Sequence, residues 1–112
     1  MKIAHGDIIL KPLTKTEYAE LMKNAVKVEH NGRFVLAEGE TTGHKHVLTV
    51  TQADTLLIHT LPDGRGRIFQ FSAPGTITHE EHAPLTTTEE FYIQEQEQEY
   101  DWFEKAVRKV VD

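Results

Sequence analysis

The chain has 112 residues, 38% of them hydrophobic and 27% charged, with a formal net charge of −6; that suits one domain over residues 1–112 with a single modest core and no sign of disorder. No run approaches the roughly twenty apolar residues of a membrane helix, and MKIAHGDIILKPL lacks the apolar stretch of a signal peptide, so a cytoplasmic location is expected. The absence of cysteine excludes disulfides and thiolate metal sites, and nine acidic residues with no Lys or Arg between His79 and Glu104 argue against a duplex nucleic acid partner.

In chain order, IAHGDIIL over residues 3–10 reads as a short strand closed by Pro12. TKTEYAELMKNAV follows, with Tyr18, Leu21, Met22, Ala25 and Val26 at helical spacing and Thr14 or Thr16 available as a cap. VKVEH and RFVLAE flank Asn31-Gly32, which predicts a hairpin, because a type I′ turn needs two residues with positive φ. The loop GETTG leads into HKHVLTVT; then come TLLIHTL, the turn PDGRG, RIFQFSA, the turn PG, and TITHEEH. Spacings of this kind point to a small antiparallel β-barrel or sandwich.

The tail offers two readings. FYIQEQEQEY alternates strictly, so a strand would put Tyr92, Gln94, Gln96, Gln98 and Tyr100 on one face and Glu95, Glu97 and Glu99 on the other. Gln and Glu favour helices, so the rival is one helix from about 89 to 111. DWFEKAVRKVV is expected to be helical, with Trp102, Phe103, Ala106, Val107, Val110 and Val111 as its buried stripe.

Four of the seven histidines fall in two short stretches, GHKHV and THEEHAP. In a strand His44 and His46 share one face. In THEEHAP a strand would pair His79 with Glu81 on one face and Glu80 with His82 on the other, whereas a turn would make His79 and His82 converge. Imidazole with carboxylate is a ligand set for zinc, nickel, manganese or iron. His5, His30 and His59 read as structural, His59 as a buried and hydrogen-bonded imidazole.

GETTGHKHV resembles a shortened first cupin motif, in which a glycine-led loop delivers His-x-His and a later strand brings a further histidine, here His79 or His82. No Glu follows His46 at the cupin spacing, which leaves Glu40 or Glu81 for the carboxylate. The ordered set GDIILKP, LAEGETTGHKH, HEEHAPL and QEYD also resembles a family of small uncharacterised proteins of bacteria and their phages, a resemblance that implies no activity.

The expected fold is therefore mainly β, a small antiparallel barrel or sandwich of cupin-like form with a short helix after the first strand and a C-terminal helix. The leading expectation for function is a divalent transition metal held by His44, His46, His79, His82 and Glu81. A second is metal-independent cleavage of a small RNA or cyclic nucleotide, with His44 and His46 as acid and base and Lys45, Arg65 or Arg67 neutralising the phosphate. A third is a non-catalytic interaction module of a bacterial or phage assembly. The expected partners are a small-molecule or nucleotide ligand and a second copy of the chain, with neither duplex nucleic acid nor membrane.

Overall fold

The structure is a computed structural model that describes residues 2–6, 8–38 and 43–95. In chain order these form β1 (Ile3–His5), β2 (Ile8–Pro12), α1 (Lys15–Met22), β3 (Val26–Val28), β4 (Arg33–Glu38), β5 (Lys45–Thr49), β6 (Leu56–Thr60), β7 (Gly66–Phe71), β8 (Thr76–His79), β9 (His82–Thr86) and β10 (Phe91–Glu95). Two antiparallel sheets result, one ordered β1-β2-β10-β7-β6-β3 and one ordered β4-β5-β8-β9. Of the two expected architectures the closed barrel is not formed; the arrangement is sandwich-like. No helix among the described residues is long and apolar enough to cross a membrane.

The two sheets share one core. Ile3, Ile8, Leu10, Leu56, Ile58, Phe69, Phe71 and Tyr92 come from the six-stranded sheet, and Leu36, Leu48 and Ile77 from the four-stranded one. Burying each such side chain stabilises the fold by about 1.5–3 kcal/mol. Along β7 and β10 the alternate residues Ile68, Phe91 and Ile93 turn to the opposite face, where Tyr18, Leu21 and Met22 of α1 cover them. The helix starts where Thr14 caps it, since the Thr14 side chain accepts from Glu17 N–H and the Glu17 side chain accepts from Thr14 N–H. It ends sooner than the apolar spacing predicts: Val26 belongs to β3 and is 66% exposed.

Two local readings of the sequence are corrected. Residues 3–10 are not one strand, because Gly6, at φ +65°, turns the chain so that His5 pairs with Ile8; the helix consequently follows the second strand. Asn31-Gly32 does not close a hairpin either. Only Gly32 has a positive φ there (+99°), so the type I′ turn is not made; β3 pairs with β6 in one sheet and β4 with β5 in the other. The turn is where the chain changes sheets. His30 holds it, accepting at Nδ1 from Gly32 N–H at 3.0 Å and donating from Nε2 to the Leu56 carbonyl at 2.6 Å.

At 91–95 the tail is strand, pairing with both β2 and β7, which excludes the continuous helix from 89. The hydroxyl of the fully buried Tyr92 accepts from the backbone N–H groups of Thr88 and Glu89, each at 3.0 Å. Gln96, Gln98, Tyr100 and the predicted C-terminal helix lie outside the described residues, as does Glu40.

Candidate functional site

Two hairpins and one strand entry deliver the histidines. In β5 the alternation that turns Leu48 into the core also turns His46 inward, where it is 5% exposed, while Lys45 points outward to Glu38 at 3.8 Å. His44 stands just ahead of β5. In THEEHAP the turn reading is the one observed: Glu80-Glu81 is a two-residue loop and His79 pairs with His82. His79 lies two residues beyond the buried Ile77, on the same face. Beyond the loop β9 carries a bulge opposite β8. Pro84 is tolerated there because the strand is an edge and the bulge relieves it of a ladder hydrogen bond.

From the opposite sheet comes His5, which the sequence reading set aside as structural. It is 3% exposed on the same face of β1 as Ile3, and its Nε2 donates to the carbonyl of Ala83, inside the β9 bulge, at 2.8 Å. Its Nδ1 lies 3.0 Å from Nδ1 of His46. Five imidazoles therefore meet at one end of the sandwich. Ring centroids are 4.2 Å apart for His46 and His79, 4.7 Å for His79 and His82, 5.4 Å for His5 and His82, and 5.5 Å for His44 and His79.

Gly6 makes this convergence possible. A Cβ at that position would stand 2.8 Å from His46 Cε1 and 2.9 Å from His82 Nε2, closer than carbon atoms pack.

At the mouth of the cluster a donor atom from each of His44, His79 and Glu80 lies within 4.8 Å of the other two. The carboxylate of this set was not the expected one. Glu80 accepts from Lys45 N–H at 3.0 Å, whereas the exposed Glu81 carboxylate stands 3.5 Å from Nδ1 of the half-buried His44. The Lys45 N–H bond, then Glu80's own backbone N–H and the nearby His44 and His79, hold the Glu80 carboxyl below the usual glutamate range. His79 Nδ1 accepts from Glu81 N–H at 3.0 Å, so its neutral ring carries the proton on Nε2.

The other basic candidates have different partners. Arg67 donates to the Leu36 carbonyl at 3.1 Å and to Gln94 Oε1 at 3.0 Å, and its guanidinium lies 4.9 Å from the centroid of the Phe34 ring. Arg65 Nε donates to the Pro62 carbonyl at 3.4 Å. His59 is buried as expected, but its Nδ1 finds no hydrogen-bond partner among the described residues.

Comparison with known families places residues 4–94 under one model, described as a domain of unknown function, DUF8820. The chain belongs to the DUF8820 family. The matched span contains all five clustered histidines together with Gly6 and Glu80, and it ends one residue short of the last residue of β10. No curated protein and no solved structure matches the chain.

Proposed function

We propose that the protein binds one divalent transition metal ion, with His44, His79 and Glu80 as its protein ligands, the buried His46 behind them and the exposed His82 beside His79. The observation that supports this reading is the approach of the three donor atoms to within 4.8 Å of one another. Ligands about 2.1 Å from an ion stand at most about 4.2 Å apart, so small side-chain rotations would close the set. Holding the ion at Nδ1 of His79 displaces the hydrogen bond from Glu81 N–H, and holding it at Nε2 moves the ring proton to Nδ1 and breaks the same bond. Losing such a hydrogen bond costs about 1 kcal/mol.

Two imidazoles and one carboxylate suit zinc, iron, nickel or manganese, and they leave coordination positions open to water or a small-molecule ligand. In that respect the site is cupin-like, with histidine arriving after a glycine-led loop and a second histidine from a later strand. With positions open, a metal there would polarise a bound oxygen or lower the pKa of bound water. Metal-independent phosphodiester cleavage has less support, because Arg67 is engaged with Leu36, Gln94 and Phe34.

Protein purified without a histidine tag and stripped with EDTA should take up one equivalent of zinc, nickel or manganese in calorimetric titration. His44→Ala, His79→Ala and Glu80→Gln should each weaken uptake by at least tenfold, the scale on which even residues supporting a metal ligand act. Absence of stoichiometric uptake, or uptake indifferent to all three substitutions, overturns the proposal.

A further inference from the structure

We propose that residues 101–111, DWFEKAVRKVV, which lie outside the described residues, dock in cis along a groove on the outer face of the six-stranded sheet. The groove flanks the second core, the one built by Tyr18, Leu61, Ile68 and Phe91 under α1. Its floor is apolar, made by Leu13, Leu21, Leu61 and Ile93, and its volume is about 690 Å³. Of these four only Leu61 is buried; Leu13, Leu21 and Ile93 each keep part of their apolar surface outside the fold. The rim is charged, with Glu17 and Glu20 of α1 and Glu95 of β10 set among Lys11 and Arg65. Lys11 pairs with Glu95 at 3.0 Å and Lys23 with Glu20 at 3.2 Å, all four exposed. Exposed pairs of this kind stabilise little and exchange partners readily.

Position, pattern and charge name the occupant. Glu95 is both a rim residue and the last described residue, so the chain leaves β10 at the groove itself. Beyond it Trp102, Phe103, Ala106, Val107, Val110 and Val111 recur at helical spacing. A helix this short is marginal in water, and what stabilises it is a surface that covers its apolar face. Over residues 102–111 Lys105, Arg108 and Lys109 against Glu104 leave a net positive charge, opposite in sign to Glu17 and Glu20. The tether of residues 96–100 spans at most roughly 17 Å. A segment held that closely meets the groove at millimolar effective concentration, ahead of a second copy or a separate peptide. His5 shares the inner face of the same sheet with Ile3, whereas the groove is on the outer one, so the inference is independent of the metal reading.

Trp102 is the only tryptophan and the chain has no cysteine, so two probes report on this segment alone. In the 112-residue chain Trp102 should emit at shorter wavelength than free tryptophan and be quenched several-fold less by iodide. Val107→Asp, which alters the segment and not the described fold, should return both readings to those of free tryptophan. A nitroxide on Thr16→Cys, an exposed position lining the groove, should broaden the Trp102 indole N–H signal. Mixing nitroxide-labelled chain with label-free 15N chain should leave the signal of the latter sharp. Free-tryptophan emission and quenching in the wild type overturns the proposal and requires no variant to fold. Protection undiminished by Val107→Asp overturns it as well, as does a protected Trp102 that the Thr16 nitroxide leaves sharp. Broadening in the mixed sample overturns docking in cis and makes the segment of a second copy the occupant.

Discussion

At the scale of single residues, two glycines separate backbone strain from packing. Gly6 and Gly43 both have positive φ, +65° and +74°, but among the described residues a Cβ at Gly43 meets nothing within 4 Å whereas one at Gly6 runs into His46 and His82. Alanine at either site incurs the left-handed backbone penalty of about 1–2 kcal/mol. Only Gly6→Ala must also displace two imidazoles. Denaturant unfolding should therefore show a larger loss for Gly6→Ala than for Gly43→Ala, and only Gly6→Ala should disturb the His46 and His82 NMR signals. Equal losses would mean that Gly6 serves the turn alone.

A second residue-scale effect belongs to His59. Burial, and then the charge of Lys27, lower its pKa below the ordinary histidine value. The unfolded chain consequently binds this proton more readily than the folded one. The stability contributed by the neutral ring is complete above the unfolded value of about 6.5 and is lost as pH falls toward the depressed folded value. His59→Leu should flatten the decline in unfolding free energy across that window, and an undiminished slope would assign the decline to other groups. The residue scale is also where the sequence was least legible. GHKH and THEEH announce themselves by density, but His5 is brought to them only by folding, and its one local signal was the Gly6-Asp7 pair, a two-residue hairpin signature read as the interior of a strand. Glu80 was passed over for Glu81 because neighbours on a turn exchange faces with small changes of dihedral angle.

At the scale of elements, alternation was the reliable guide and turn chemistry the unreliable one. The pattern of FYIQE predicted a strand with Tyr92 and Gln94 on one face, and β10 is that strand. Asn31-Gly32 failed because tertiary contacts, Val50 N–H to the Gly32 carbonyl at 2.9 Å among them, hold the segment between sheets. The β4 bulge at Leu36 shows how an irregular element is stabilised. Arg67 Nη1 reaches the Leu36 carbonyl, and Gln94 Nε2 donates to the same oxygen at 3.3 Å. Arg67 is a half-buried cation whose pKa burial pulls below the ordinary arginine range. Arg67→Met should remove two charge-assisted hydrogen bonds and the contact with Phe34, lowering stability by about 2–3 kcal/mol. It should leave metal uptake unchanged, since the donor set of His44, His79 and Glu80 does not include it. A loss of uptake in this variant would tie the bulge to the site.

At the scale of the whole molecule, the proposed ligands sit at the β5 entry and the β8–β9 turn, on neighbouring strands of one sheet whose inner face places Leu36, Leu48 and Ile77 in the core. An ion there binds the folded chain, where the donors are already gathered, far better than an unfolded chain in which His44 and His79 are 35 positions apart. Metal should therefore raise stability by RT ln(1 + [L]/Kd), about 2.7 kcal/mol at a hundredfold excess over Kd. In a domain of this size about 1 kcal/mol moves the melting temperature by roughly 4–8 °C, so saturating zinc should raise it by roughly 10 °C or more and EDTA should reverse the shift. The gain should depend on pH in a way that identifies the ligands. The depressed pKa of Glu80 keeps its carboxylate ionised as pH falls, so loss of that carboxylate is not what should first weaken the metal-induced shift on acidification. His44→Ala should melt like the wild type in EDTA and gain little from zinc. A variant equally stabilised by zinc would show that the ion binds elsewhere on the chain, and the cluster would then be explained by packing and hydrogen bonding alone.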